Sequence, residues 1–342
     1  MKRIGNIYQN IICIENLQKA DEIAQKGKSK QYGVRIHNSK KEENILNLHQ
    51  ILKEKTYQTS TYYIIKVYEP KEREVYRLPY FPDRITHHAI MNILEPIFVS
   101  TFTKDTYSCI KGRGIHKCSF ELRKALKNSE YQYCLKMDIK KFYPSINNEI
   151  LKSLLRRKFK DQDLLWLLDE IIDSADGVPI GNYLSQYFAN FYLTYFDHWL
   201  KEEIKVKHYF RYADDLVILS KDKEELHHYL KIIKGYLEQN LKLEIKSNHR
   251  IFPVSTGIDF VGYVHFSTHT LLRKGIKKNF ARKLKKNPSI ESVASYLGWA
   301  NHCNSRNLIK KLLTDEQFQE LQDKAKFNKF CRRQNKNKQN SE

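Results

Sequence analysis

Residues 205–220 read KVKHYFRYADDLVILS, with an apolar run on each side of a polar centre, as in two strands joined by a tight hairpin. The centre is Tyr212-Ala213-Asp214-Asp215. Adjacent acids at a hairpin tip repel each other, and a cation relieves that repulsion. An acidic pair in a turn is by itself usually a solvated turn, so a second feature decides. Asp138, in LKMDIKKFYPSI, ends an apolar strand, YQYCLKMDI, and precedes an aromatic pair. A neighbouring strand in the same sheet brings its carboxylate beside Asp214. Three carboxylates on adjacent strands can hold two Mg²⁺ ions about 3.5–4 Å apart, one lowering the pKa of an attacking hydroxyl and the other stabilising the leaving oxygen. That is the chemistry of nucleotidyl transfer, which depends on alignment and charge neutralisation and needs no covalent nucleophile.

The composition agrees. The 342-residue chain has 60 Lys+Arg against 39 Asp+Glu, a formal charge of +21, and such an excess repels itself unless a polyanion sits against it. Nucleic acid is the expected partner. No apolar run reaches the ~18 residues of a spanning helix, and the start, MKRIGNIYQN, lacks a signal-peptide pattern, so a cytoplasmic protein without membrane contact is expected. Cys13, Cys109, Cys118, Cys134, Cys303 and Cys331 form no CxxC pair, which suggests neither a zinc site nor a disulfide framework. His87-His88 and His227-His228 lie outside any HExxH pattern and read as packing or as a solvated helix face.

The remaining pattern mixes helices and strands. Charged amphipathic helices are expected around 10–27 and 38–57, followed by a β-hairpin made of YYIIKVYEP and REVYRLPYF with EPKE at its turn. Further helices are expected at 83–99, 115–128, 147–158, 183–203 and 222–240, and strand-like pieces at RIFPVS and GIDFVGYVHF. From about 275 the pattern is helical and basic: residues 271–342 hold 18 Lys/Arg against 6 Asp/Glu. Tyr296, Leu297, Trp299 and Ala300 lie at helical spacing among these cations, which suits helices that pack on one side and follow a phosphate backbone on the other. Residues 328–342 read as disordered.

From about Lys71 to Phe266, the ordered blocks EPKEREVYRLPYFPDRITHHAIMNILEPIF, TYSCIKGRGIHKC, YCLKMDIKKFYPSI, GVPIGNYLSQYFANFYL, FRYADDLVILS, LEIKSN and GIDFVGYVHF resemble the successive motifs of the reverse transcriptases. The resemblance implies an α+β right-hand polymerase. Residues 1–130 would form N-terminal helices and fingers; 131–270 the palm, whose antiparallel sheet carries the catalytic acids, with interleaved fingers helices; and 271–342 a basic helical thumb with its tail. Asp138, Asp214 and Asp215 would be the catalytic acids and, with Ile139, the contacts of two Mg²⁺ ions. Tyr143 would be the steric gate that clashes with a ribose 2′-hydroxyl. Lys71 and Arg73 would meet the incoming triphosphate, although a solvated turn is an alternative there. Lys246 is similar to the family's proton donor for pyrophosphate, and Arg113, Arg273, Lys274, Lys277 and Lys278 would follow the nucleic-acid backbone.

One departure points to a subfamily. Most reverse transcriptases have glutamine-glycine, three residues, then serine-proline in the block that braces the nascent pair; here it reads Ile180-Gly181-Asn182-Tyr183-Leu184-Ser185-Gln186. This block, the DRITHH segment and the closing SYLGWANHCNS resemble the reverse transcriptases of diversity-generating retroelements. That resemblance implies error-prone copying of a template RNA, chiefly at adenine, with mutagenic retrohoming of the cDNA into a target gene. It also implies deoxynucleoside triphosphates, an RNA/cDNA duplex and a small basic oligomeric accessory protein as partners, with Ile180, Gly181 and Gln186 near the nucleotide. Replacing a long amide with Ile180 removes hydrogen bonds that could brace the pair, and losing about 1.4 kcal/mol of discrimination raises errors about tenfold. The alternatives are another bacterial reverse transcriptase, of group II intron or phage-defence type, and an inactive RNA-binding scaffold. Against the intron type, the chain is expected to leave no room for an endonuclease extension.

Overall fold

A computed structural model describes residues 3–68, 72–285 and 290–313, with positions 316, 319 and 323 beyond them. Its strands, among the described residues, are β1 (Tyr63–Val67), β2 (Arg73–Arg77), β3 (Tyr133–Asp138), β4 (His208–Tyr212), β5 (Asp215–Ser220), β6 (Arg250–Pro253), β7 (Ile258–Phe260), β8 (Tyr263–His265) and β9 (Thr270–Leu272). They form three sheets: β1-β2, β4-β5-β3-β6 and β7-β8-β9. The architecture is therefore mixed, with small sheets set among helices.

The central sheet follows directly from its sequence. Leu216, Val217, Ile218 and Leu219 in β5 are all buried, as are Tyr209 and Phe210 in β4 and Cys134, Leu135 and Met137 in β3. An uninterrupted apolar strand is stable only when both faces of its sheet are covered. Helix Lys223–Leu241 packs on β5, and helix Tyr183–Tyr192 meets β4 through Asn190 and Arg211; the helices of the first unit carry wide apolar faces of their own. In helix Gln162–Asp173, Leu164, Leu165, Leu167, Leu168, Ile171 and Ile172 are buried, and helix Tyr183–Tyr192 buries eight of its ten residues. Helix Gln162–Asp173 begins at Asp161, whose side chain accepts from Leu164 N (3.2 Å) and also from Ile7 N (2.7 Å) and Tyr8 N (3.0 Å). One carboxylate thus caps a helix and ties down the N-terminal segment.

The chain divides into two compact units, one made of Met1–Gly114 with Leu135–Ile251 and the other of Ile115–Cys134 with Phe252–Glu342. This division is discontinuous, whereas the three segments 1–130, 131–270 and 271–342 are consecutive. The first unit holds β1, β2, β4 and β5. The second holds helix Ile115–Leu126, β7–β9 and the basic helices. Within it Phe280 of helix Lys274–Leu284 stacks on Tyr296 (4.9 Å), and a Cβ on Gly262 would collide with the Trp299 ring. Ala300 is buried, Tyr296, Leu297 and Trp299 are half-buried, and Lys274, Lys277 and Lys278 are exposed. Residues 328–342 and Lys71 lie outside the described residues. No described helix is long and apolar enough to cross a membrane.

Two expectations about helices change. The run expected as one helix over 183–203 is broken into Tyr183–Tyr192, Thr194–His198 and a wider turn, Trp199–Glu203. Its end is held by Lys201 Nζ, which donates to the carbonyls of Val206 (2.8 Å) and Lys207 (3.0 Å). The segment expected as one helix over 38–57 is the helix Lys41–Lys53, preceded by a separate short helix, Tyr32–Ser39.

Candidate active site

The carboxylate turn is built from β4 and β5, which pair antiparallel with Tyr212 opposite Asp215. Ala213 and Asp214 form the turn, and Ala213 has φ +53°, a backbone conformation that favours glycine. Asp138 ends β3, the neighbour of β5 in the sheet. Just beyond it, Ile139 N donates to Asp214 O (3.1 Å). On the other side, Lys246 N donates to Asp138 O (2.8 Å) and Lys140 N to Glu244 O (2.8 Å). Ile139 therefore faces Ile245 as a non-hydrogen-bonded antiparallel pair, and its own N–H and C=O both point toward the carboxylate turn.

The electrostatics reflect this crowding. Burial, augmented by the charges of Asp138 and Asp214 and opposed by Lys136, pushes the Asp215 carboxyl up to about 7; the Asp138 carboxyl lies within hydrogen-bonding reach of it. Burial and Asp138 also raise Asp214, while Lys246 and Arg73 oppose that shift. A site that holds three carboxyls this way requires either protons or cations. The ammonium of Lys246 pairs with Asp138 Oδ1. Among the described residues, no three His, Cys, Asp or Glu side chains are arranged to enclose a metal ion. The donor chemistry nevertheless fits Mg²⁺, since the groups brought together are hard carboxylate and carbonyl oxygens whose mutual repulsion a divalent cation would relieve.

The aromatic pair after Asp138 folds beside the same turn. Tyr143 lies in helix Phe142–Ser145, and its hydroxyl is pushed well above the usual range by burial and then by Cys109, Asp214 and Tyr212. Its carbonyl accepts from Val178 N (2.9 Å). The Ile180 block is anchored to the early hairpin: Tyr76 N donates to Ile180 O (2.7 Å), and Asn182 Nδ2 donates to Tyr62 OH (3.0 Å). Gly181 has φ +127°, and a Cβ there would collide with Tyr76 O. Arg73, at the start of β2, is exposed, and its charge is felt at Asp214.

The other expected residues are placed differently. Gln186 is exposed on its helix. Arg113 Nη1 donates to the carbonyls of Thr103 (2.6 Å) and Thr106 (2.9 Å), pinning its own loop. Arg273 pairs with Asp259 (2.5 Å), whereas Lys274, Lys277 and Lys278 are exposed in the second unit. The sequence reading passed over Arg211. A signal was present, because an arginine in the middle of the apolar strand HYFRY needs a buried counter-ion.

Comparison with known proteins shows the family. The model of the family "Reverse transcriptase (RNA-dependent DNA polymerase)" matches residues 69–265, more than half of the chain, and the chain belongs to that family. It is 24% identical over 259 residues to protein YkfC of Escherichia coli (strain K12), covering 61% of this chain and 66% of that one. It is also 24% identical over 229 residues to the group II intron-encoded protein LtrA of Lactococcus lactis subsp. cremoris, covering 62% and 38%. Nuclear intron maturase 4, mitochondrial, of Arabidopsis thaliana is 28% identical over 140 residues, covering 37% and 17%. The chain thus spans less than two thirds of the length of each of these relatives. Telomerase from Candida albicans in complex with a fragment of telomeric RNA aligns with a TM-score of 0.48 at 12% identity, covering 79% of this chain and 59% of that one.

Proposed function

We propose that the chain is an RNA-directed DNA polymerase that copies a template RNA into cDNA, with Asp138, Asp214 and Asp215 as its catalytic carboxylates. The observation that carries this reading is the junction of the end of β3 with the β4–β5 turn, which crowds three carboxyls and pushes Asp215 up to about 7. Asp138, Asp214 and Asp215, with the Ile139 carbonyl, would hold Mg²⁺. Bound magnesium supplies a lowered pKa for the attacking primer hydroxyl and neutralises charge on the leaving pyrophosphate. The chain's own groups do the rest. Tyr143 closes the sugar side of the nucleotide, so that a 2′-hydroxyl clashes with its ring. Arg73, and Lys71 beside it in sequence, carry positive charge toward the triphosphate. Lys246 neutralises Asp138 and stands as the proton donor to the leaving group.

The finer reading is a reverse transcriptase of a diversity-generating retroelement, which copies with errors at adenine for mutagenic retrohoming. It is supported by the Ile180-Gly181 block, whose backbone is docked on β2 while the family's glutamine is replaced. The partners it calls for are a template RNA and a small basic oligomeric accessory protein. The similarity to LtrA and to a nuclear intron maturase favours a second reading, an intron-type reverse transcriptase. Primer extension with Mg²⁺, deoxynucleotides and an RNA template, followed by sequencing of the cDNA, separates them. Errors concentrated opposite adenine are expected; accurate or evenly mutated cDNA keeps the polymerase and favours the intron type, and no synthesis on any template leaves an RNA-binding scaffold.

A further inference from the structure

Arg211 and Asp197 are both fully buried and face each other directly beneath the carboxylate turn. Every nitrogen of the guanidinium is engaged. Nε donates to both Asp197 oxygens (2.9 and 3.0 Å), and Nη2 donates to Asp197 Oδ2 (2.5 Å), Thr106 Oγ1 (3.3 Å) and Asn190 O (3.4 Å). Nη1 donates to Asn190 Oδ1 (3.1 Å) and to Ala213 O (3.2 Å). Tyr209 OH (2.7 Å) and Thr106 Oγ1 (3.0 Å) complete the shell of Asp197.

A buried ion pair is poor evidence of a need for stability, because apolar side chains of similar volume fill such a space without the desolvation penalty. What apolar side chains cannot supply is a donor aimed at Ala213 O. The turn needs one. Ala213 occupies a conformation that favours glycine, and such backbone persists only where its surroundings hold it. Both carbonyls of the turn are held, Ala213 O by the side chain of Arg211 in the adjoining strand β4 and Asp214 O by Ile139 N from outside the hairpin.

We infer that Arg211 is a positioning residue for the metal-dependent chemistry: oriented by Asp197 and Asn190, it fixes the strained Ala213–Asp214 turn and so sets the direction of the Asp214 carboxylate. This inference rests on the polymerase reading. It assigns a role in metal binding to groups that touch neither nucleotide nor metal. Asn190 links the arrangement further, since its Nδ2 donates to Ser108 O (2.8 Å) in the loop whose Cys109 neighbours Tyr143.

The test compares Arg211→Lys with Tyr209→Phe in the full chain. The lysine keeps a buried cation beside Asp197 but cannot reach Asp197, Asn190 and Ala213 O together, while Tyr209→Phe deletes one hydrogen bond to the same carboxylate away from the turn. Mn²⁺ affinity is read by electron paramagnetic resonance without nucleic acid, alongside thermal melting and the split of kcat against KM for deoxynucleotide. Arg211→Lys is expected to weaken Mn²⁺ binding about tenfold or more, the usual size for loss of a group that orients a metal ligand. Its kcat should fall in proportion with KM unchanged, and Tyr209→Phe should lower only the melting temperature. If Arg211→Lys melts earlier yet binds Mn²⁺ and turns over like the parent, the arginine is merely structural. Should Arg211→Lys fail to fold, Asn190→Ala removes the brace on Nη1 and is read the same way. A parent chain that neither binds Mn²⁺ nor extends a primer overturns the polymerase reading together with this one.

Discussion

At the scale of single residues, each expectation depends on what the side chain touches. Asp214→Asn keeps the size of the side chain but lacks the charge that repels Asp138 and Asp215, so the fold should be retained or stabilised while synthesis falls by about 10³-fold or more, as when a charge-stabilising group is lost. Primer extension beside circular dichroism checks both halves of that statement. Tyr143→Ala should admit ribonucleotides, and the ratio of kcat/KM for deoxy- over ribonucleotide should fall by about 10²-fold or more, since a clash is removed rather than a single methylene contact. Gly181→Ala sets a Cβ against Tyr76 O at φ +127°, so it should destabilise by about 1–3 kcal/mol, seen as a lower melting temperature. Ile180→Gln restores the amide that most of the family carries and should lower error frequency opposite adenine; an unchanged error spectrum would remove this position from the explanation of infidelity.

At the scale of elements, the hairpin of 205–220 was legible because apolar runs, turn and acids all point to one structure, and the early hairpin was legible from its two strand-like runs and the turn between them: Tyr63 pairs with Arg77 and Val67 with Arg73. Helix Gln162–Asp173 was not read, although QDLLWLLDEIID carries an apolar face at helical spacing. The break inside 183–203, which falls at Leu193, was not read because no glycine or proline interrupts the run. The partnership of Arg211 with Asp197 was hidden for a different reason. Fourteen residues and a change from helix to strand separate them, and only tertiary packing shows that both are dry. Helix Ile85–Thr101 adds a consequence of burial. His87 and His88 are both pushed down to about 4, chiefly by burial and then by Arg84, and His88 stacks on Tyr183 (4.6 Å). The folded chain holds these imidazoles neutral, whereas the unfolded chain protonates them near pH 6.5. The contribution of these imidazoles to stability should therefore be constant above about pH 6.5 and fall as pH drops toward 4, by on the order of 3 kcal/mol for His87, while the raised Asp215 carboxyl acts in the opposite direction over the same range. Chemical denaturation of the parent and of His87→Phe at pH 7 and pH 5 isolates the histidine: the variant should lose less stability, or gain more, than the parent between the two pH values.

At the scale of the whole molecule, a charge of +21 makes association with RNA an electrostatic event that salt weakens. Each phosphate neutralised on a single strand contributes about −0.7 to the slope of log K against log salt, so contact with roughly eight phosphates gives a slope near −6. The charge is uneven, and residues 271–342 carry 18 cations against 6 acids. Lys277 and Lys278 are exposed on the helix that buries Phe280, so replacing both with Gln leaves the packed side untouched. If that outer face follows the backbone, the double substitution should reduce the magnitude of the slope by about 1.4 and weaken every RNA sequence alike, because phosphate contacts carry no base information. Filter binding across a salt series with two unrelated templates tests this. An unchanged slope would mean that the face meets solvent in the complex; a loss confined to one template would mean that the two lysines read bases or RNA shape.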